Sequence, residues 1–306
     1  MMEYTTKSQS FEDFLDLLNQ TLAPVFPAVP HTPHGHLTGQ IVGLPRSGTT
    51  ILYQLLARTR VVGYPSNAMA PFWNAPVVGA RLQVKLSETK PTLSMRSLAG
   101  RTSEPLDPHE FGYFWRSALG HSANTLEPDM TAWPAPRLGN TLDAIAEAFD
   151  APTVYKNFLA LSHGQWMLDH LPQVRFLIIE RDLAQVANSL LAVRQRIGVP
   201  DEAMFGVDPG GSTEGDLSER IATQVRTLER HRRDLIESSG NKCLVIDYDE
   251  LCGHPRNTIS TILDFLSADS SAADIDSIPE TLESSKRATP SQSFTNQFSS
   301  AALEPK

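Results

Sequence analysis

Cysteine is nearly absent from this chain: Cys243 and Cys252 are the only two among 306 residues. Two thiols cannot build a disulfide framework, and their spacing matches no zinc or redox motif, so they are read as reduced, buried side chains. Long apolar runs are missing as well. No uninterrupted stretch approaches the roughly 18–20 residues that a membrane-spanning helix needs. Met1 to Gln20 carries Glu3, Glu12, Asp13 and Asp16 in place of a basic-then-apolar leader. The compartment expected from these absences is the cytoplasm. Positive charge is in deficit, with 26 Lys and Arg against 35 Asp and Glu, a net charge of −9. Phosphate-backbone affinity rests on clustered cations, so the balance excludes general nucleic-acid binding and leaves room only for a local basic pocket. His, Cys, Asp and Glu nowhere recur at metal-ligand spacing, and no metal is expected.

What is present reads as an ordinary globular chain, at 41% hydrophobic and 20% charged residues. The length suits one large α/β domain or two small ones. The expected organisation is a single domain over 1–306, with an N-terminal helix and connector in 1–36 and a polar, Ser-rich tail in 268–306, partly mobile around Ser284 to Gln297. Phe11, Phe14, Leu15, Leu17 and Leu18 recur at helical spacing. Leu37–Val42, Thr153–Lys156, Gln173–Ile179 and Cys243–Ile246 read as buried strands. Leu183, Val186, Leu190, Val193 and Ile197 predict an amphipathic helix capped by Asp182. Pro255–Leu266 predicts a closing helix, Gly206–Asp216 a loop, and Tyr64–Pro108 loops with short helices. Asp107-Pro108-His109-Glu110 has the form of a helix start, with Phe111, Phe114, Trp115 and Ala118 as its buried face. Alternating strands and helices predict a mostly parallel central sheet flanked by helices.

The sharpest local signal follows the first strand. Gly43-x4-Gly48-Thr49-Thr50 has the spacing of a phosphate-cradling loop, in which small residues let backbone N–H groups converge on an anion at a helix N-terminus. The position that holds Lys in a nucleotide triphosphatase is Thr49, and a cation stands inside the loop instead, at Arg46. Loss of that Lys argues against ordinary ATP or GTP hydrolysis.

Pro45-Arg46-Ser47-Gly48-Thr49-Thr50 resembles the loop by which sulfotransferases dependent on 3′-phosphoadenosine 5′-phosphosulfate (PAPS) hold the 5′-phosphosulfate. The resemblance extends in scattered motifs over roughly Gly39 to Leu266. It implies a P-loop-like fold and PAPS as donor, with Arg46, Ser47, Gly48, Thr49 and Thr50 as donor-binding residues. It also implies an Arg at a strand end and a Ser eight residues later on the donor's 3′-phosphate, and Arg181 and Ser189 have that spacing. Lys156, ending Val154-Tyr-Lys-Asn157, matches the strand-end Lys that contacts the transferring sulfuryl group. Lys286 and Arg287 fall where the family places basic residues over the 3′-phosphate. Asp247-Tyr-Asp-Glu-Leu251 with His254-Pro255 resembles a family strand-to-helix segment, read as architecture.

The departures are specific. Ile51 stands where cytosolic members carry an adenine-stacking aromatic, Phe158 where they carry the catalytic His, and Asn74 where another branch carries a Glu base after Trp. The remaining bases are His109, first because imidazole titrates near neutrality unaided, and Glu110, second because a carboxyl needs burial to do so. The mechanism implied is in-line displacement, with His109 or Glu110 removing the acceptor proton while Arg46 and Lys156 offset charge building on the sulfuryl oxygens. The acceptor is a hydroxyl. Tyr64, Met69, Phe72 and Trp73 point to an apolar pocket compatible with a lipophilic alcohol, a glycolipid or a carrier-bound intermediate. Two readings compete: a P-loop kinase or nucleotide hydrolase with its Lys function moved to Arg46, and a non-catalytic nucleotide-binding protein on the same fold.

Overall fold

The computed structural model describes residues 8–24, 35–89, 93–97, 100–123, 127–201, 215–283 and 292–298. Lys286 and Arg287, and most of the Gly206–Asp216 loop, lie outside the described residues. In chain order the elements are α1 (Gln9–Leu22), β1 (Thr38–Gly43), α2 (Thr49–Arg58), α3 (Pro76–Ser87), α4 (Gly112–Leu119), α5 (Ala135–Phe149), β2 (Thr153–Lys156), α6 (Leu159–Ser162) and α7 (Gly164–His170). β3 (Val174–Glu180), α8 (Leu183–Ile197), α9 (Leu217–Ser239), β4 (Cys243–Asp247), α10 (Tyr248–Gly253), α11 (Pro255–Phe265) and α12 (Gln292–Gln297) follow.

The four strands form one parallel sheet in the order β2-β1-β3-β4. Strand side chains alternate between faces, so each strand feeds two cores. Val42, Tyr155, Phe176 and Ile178 pack on one face with Phe114 and Trp115 of α4, Leu190 of α8 and Leu228 of α9. Ile41, Val154, Leu177, Ile179 and Ile246 pack on the other with Leu52, Leu55 and Leu56 of α2 and Ile259, Ile262 and Leu263 of α11. Each such fully buried aliphatic side chain contributes about 2 kcal/mol relative to exposure. The chain leaves β1 toward β2 and returns past it to β3. That reversal opens a crevice at the carboxyl edge of the sheet, where Gly43, Lys156 and Arg181 all lie at or just beyond strand ends.

Helix ends follow local chemistry. The Asp182 carboxylate accepts the Gln185 N–H at 2.8 Å, as expected of an N-cap. Asp216 and Glu219 form a reciprocal capping box at the start of α9.

Four expectations are corrected. β4 is an edge strand, with Val245 41% exposed and Cys243 half-buried, because among the described residues β3 is its only sheet neighbour. The Tyr64–Pro108 region holds the 12-residue helix α3, entered through Pro76 in its first turn. Asp107 does not begin a helix: its buried carboxylate accepts the backbone N–H groups of Ser94 (2.8 Å) and Glu104 (3.3 Å) and the Ser94 hydroxyl, and so ties the preceding loop. α4 starts later, after Phe111 in the left-handed region (φ 56°), although the expected face of Phe111, Phe114, Trp115 and Ala118 is buried. Within the tail expected to be partly mobile around Ser284 to Gln297, α12 packs on α8 and α9 with Phe294 fully buried, while residues 284–291 lie outside the described residues. Among the described residues no helix is long and apolar enough to cross a membrane.

Candidate functional site

The loop after β1 is held in an unusual shape by its neighbours. Arg46 has φ 72°, a left-handed conformation rare for a residue with a side chain. Its carbonyl accepts Nη1 of Arg181 at 2.8 Å, so the residue just beyond β3 fastens the loop that follows β1. The Arg181 guanidinium also lies 4.2 Å over the ring of Tyr248, at the start of α10 beyond β4. Behind the loop, Gly48 at φ 108° abuts the same ring; an added Cβ would meet Tyr248 Cδ2 at 2.6 Å. Only glycine fits both the dihedral and the space. Three strand ends thus converge on one loop.

Groups for an anion are gathered here. The first N–H groups of α2 have no intrahelical acceptor and carry the positive end of the helix dipole. The Ser47 hydroxyl is buried with no hydrogen-bond partner among the described residues. Arg46 Nε donates to Ser189 Oγ at 3.3 Å, which joins two of the residues singled out from sequence spacing. The Arg46 guanidinium is pushed below the usual arginine range by partial desolvation and then by the neighbouring Arg181 charge. Two crowded cations with an unpartnered buried hydroxyl beside them make a place where bound negative charge relieves repulsion.

On the other flank of Thr50, the strand-end Lys156 donates from Nζ to Thr50 Oγ1 at 2.9 Å and forms a short ion pair with Glu110. The Lys156 side chain is 13% exposed and that of Glu110 41%. Glu110 therefore reaches solvent while touching the group next to the loop. Gly100, at φ 89°, is the roof: an added Cβ there would lie 3.4 Å from Lys156 Nζ, 3.5 Å from Thr50 Oγ1 and 3.7 Å from Glu110 Oε1.

His109 is arranged differently. Its Nδ1 accepts the Phe111 N–H at 2.9 Å, which engages that lone pair and leaves the proton of a neutral ring on Nε2. Neither nitrogen then presents a free lone pair to an incoming hydroxyl. Ile51, Asn74 and Phe158 supply no replacement base; Asn74 donates its backbone N–H to Asn19 Oδ1 at 2.8 Å and serves to seat α1.

The residues expected to form an apolar acceptor pocket do not share one environment. Met69 and Trp73 are core side chains, and Phe72 is half-buried. Tyr64 donates to the Leu106 carbonyl at 3.0 Å and lines a cavity of about 480 Å³ with Ala57, Arg58 and Val62. That cavity sits at the far end of α2 from Thr50, beside Gly63, which pairs with the first residue of β2. Tyr248 and Gly100 were not singled out for the site from sequence. Tyr248 falls in a segment legible as architecture, and Gly100 carries no local signal.

Among the described residues, no three His, Cys, Asp or Glu side chains converge as a metal site requires. The family profile described as the sulfotransferase family matches residues 40–271. Among solved structures, the chain is similar to sulfotransferase STF1 from Mycobacterium tuberculosis H37Rv, with TM-score 0.51 and 16% identity over 97% of this chain and 83% of that one. It is also similar to sulfotransferase STF9 from Mycobacterium avium, with TM-score 0.48 and 12% identity over 83% and 68% of the two chains. No curated protein matches the chain in sequence.

Proposed function

Because the chain belongs to the sulfotransferase family, we propose that it moves a sulfuryl group from PAPS to an acceptor hydroxyl, with Glu110 as the proton acceptor. One observation carries this reading: Lys156 bridges Thr50 of the phosphate-type loop and the half-exposed carboxylate of Glu110. Donor-side and acceptor-side chemistry meet at a single ammonium.

The residues suit the donor. The Gly43–Thr50 loop, with its buried orphan hydroxyl on Ser47 and the N-terminal turn of α2, suits the 5′-phosphosulfate. Arg181 and Ser189, joined through Arg46 of the loop at 2.8 and 3.3 Å, suit the 3′-phosphate. The donor supplies an electrophilic sulfur with a phosphate leaving group. Glu110 takes the hydroxyl proton on Oε1 or Oε2 when the acceptor displaces the carboxylate from Lys156. Lys156, released on that side and still held by Thr50, then directs its N–H donors at the oxygens where negative charge gathers. A preorganised cation of this kind lowers such a barrier by several kcal/mol, on the order of 3. His109 orients Phe111 and so fixes the start of α4, a supporting role.

Calorimetric titration with adenosine 3′,5′-bisphosphate, run beside ATP–Mg2+, tests the donor assignment. Metal-independent binding of the bisphosphate with little response to ATP supports it. Preference for ATP–Mg2+ would replace it with a P-loop kinase or hydrolase, and silence from both would point to a chain that has kept the fold and lost the donor site.

A further inference from the structure

Away from the crevice, two helices expose apolar stripes that the described fold leaves uncovered. On α1, Phe11, Phe14 and Leu17 are 54%, 56% and 63% exposed. On α3, Val78, Leu82 and Leu86 are 43%, 40% and 44% exposed. The spacings differ, at i, i+3, i+6 and i, i+4, i+8, but each keeps its three side chains within one side of its helix. Both helices pack against the turn at Ala70–Phe72, and Asn19 ties α1 there by donating to the Pro71 carbonyl at 2.7 Å. Six hydrophobic side chains, each roughly half exposed, leave on the order of 500 Å² of apolar surface on two helices that share the Ala70–Phe72 turn.

The charges beside the stripes are opposite in sign. α1 carries Glu12, which accepts from the Tyr113 hydroxyl, and Asp13 and Asp16, with no basic residue; α3 carries Arg81 and Lys85, the latter paired with Glu88 just past the helix. Asp16 and Arg81 are both exposed, and neither has an ion-pair partner among the described residues. Two α1 helices facing each other would bring acids together, whereas α1 against α3 joins unlike charges along matching apolar stripes. We propose that this face is a two-fold interface with a second copy of the chain, α1 of each protomer lying on α3 of its partner. A two-fold contact uses each complementary pair twice, which places about 1,000 Å² of apolar surface at its centre, close to the lower bound for a specific interface once a polar rim is added. The acidic stripe disfavours an anionic membrane as the occupant.

Sedimentation velocity of the full chain across a micromolar dilution series tests this, with vesicle flotation on neutral and anionic liposomes in parallel. The expected result is a concentration-dependent dimer that Phe14→Glu and Leu82→Glu each convert to monomer. Asp16→Arg alone weakens association at least about tenfold, and pairing it with Arg81→Asp restores it, since the pair contributes attraction only when opposite. These two positions are exposed, so the charge exchange reads association without disturbing the core. A wild-type chain monomeric at high concentration, a dimer indifferent to all four substitutions, or a monomer that floats with liposomes would each overturn the proposal.

Discussion

The two flanks of Thr50 are built in different ways. On the Arg46 flank the parts are short-range in chain or fixed by strand spacing: the Leu44–Gly48 loop, an Arg just past β3, a Ser two turns into α8 and a ring at the next strand end. Each part touches at least one other, and the crowding is settled before any ligand arrives. On the Lys156 flank the strand-end ammonium meets Glu110 and Gly100, which come from a long connection pinned by Asp107 and Ser94. The first flank is assembled at the carboxyl ends of parallel strands, where open α/β sheets bind their ligands. The second is where a family sharing that crevice can differ, since loops tolerate change that strand ends do not.

That contrast breaks most sharply at Glu110. Glu110→Gln, which keeps the shape and removes the proton acceptor, is expected to lower kcat by about 10²–10⁴ while leaving bisphosphate affinity within a few-fold. His109→Gln is expected to cost far less, and a larger loss at His109 in steady-state assays would reverse the assignment. Lys156→Met comes next, with a kcat loss of about 10²-fold and little change in donor affinity. Equal losses in kcat and in bisphosphate binding would move Lys156 to the donor side. On the opposite flank, Arg181→Ala is expected to weaken 3′-phosphate-bearing nucleotides by roughly 10- to 100-fold, with adenosine 5′-phosphosulfate much less affected. Calorimetry showing the same loss for both would remove the 3′-phosphate assignment.

The smallest expected effect is on stability and arises at a pair of histidines that follow α4 and α6. His121, just past α4, and His163, just past α6, meet at 2.7 Å between their Nε2 atoms. Burial first, and then the neighbouring His121 ring, push His163 from its usual 6.5 down to about 4. Between those values the unfolded chain binds a proton that the fold excludes, so stability falls as pH drops from about 6.5 towards 4 and is level above. Discounted for partial exposure, the change is on the order of 1 kcal/mol. Urea midpoints at pH 7 and 4.5 should differ by less in His163→Asn than in the wild type; an unchanged difference would show that the acid sensitivity arises elsewhere.

The sheet and the loop flank were largely legible in the chain because both are written in short-range patterns. Apolar runs gave all four strands to within a residue or two, Asp182 gave the start of α8, and Gly43 to Thr50 gave the turn between β1 and α2. What failed was the content of long connections. Asp107-Pro-His-Glu110 has the composition of a helix start, but Asp107 bonds backward to Ser94, a partner thirteen residues away that no local window weighs. Beyond that tie Glu110 pairs with Lys156 and His109 accepts the Phe111 N–H, the two contacts on which the proposed preference for Glu110 rests. Tyr248 was invisible for a related reason: its contacts with Gly48 and Arg181 join residues far apart in the chain through the order of strands in the sheet.

The left-handed turn at Arg46 also bears on timing. With its carbonyl held by Arg181 and the Tyr248 ring filling the space behind Gly48, the loop has little room to sample other shapes between encounters. On the proposed function, donor capture is then expected to be a one-step collision with a standing receptor. Its observed rate in stopped-flow should rise linearly with nucleotide concentration and fall as salt screens the two guanidinium groups, without the plateau that a slow opening step would impose.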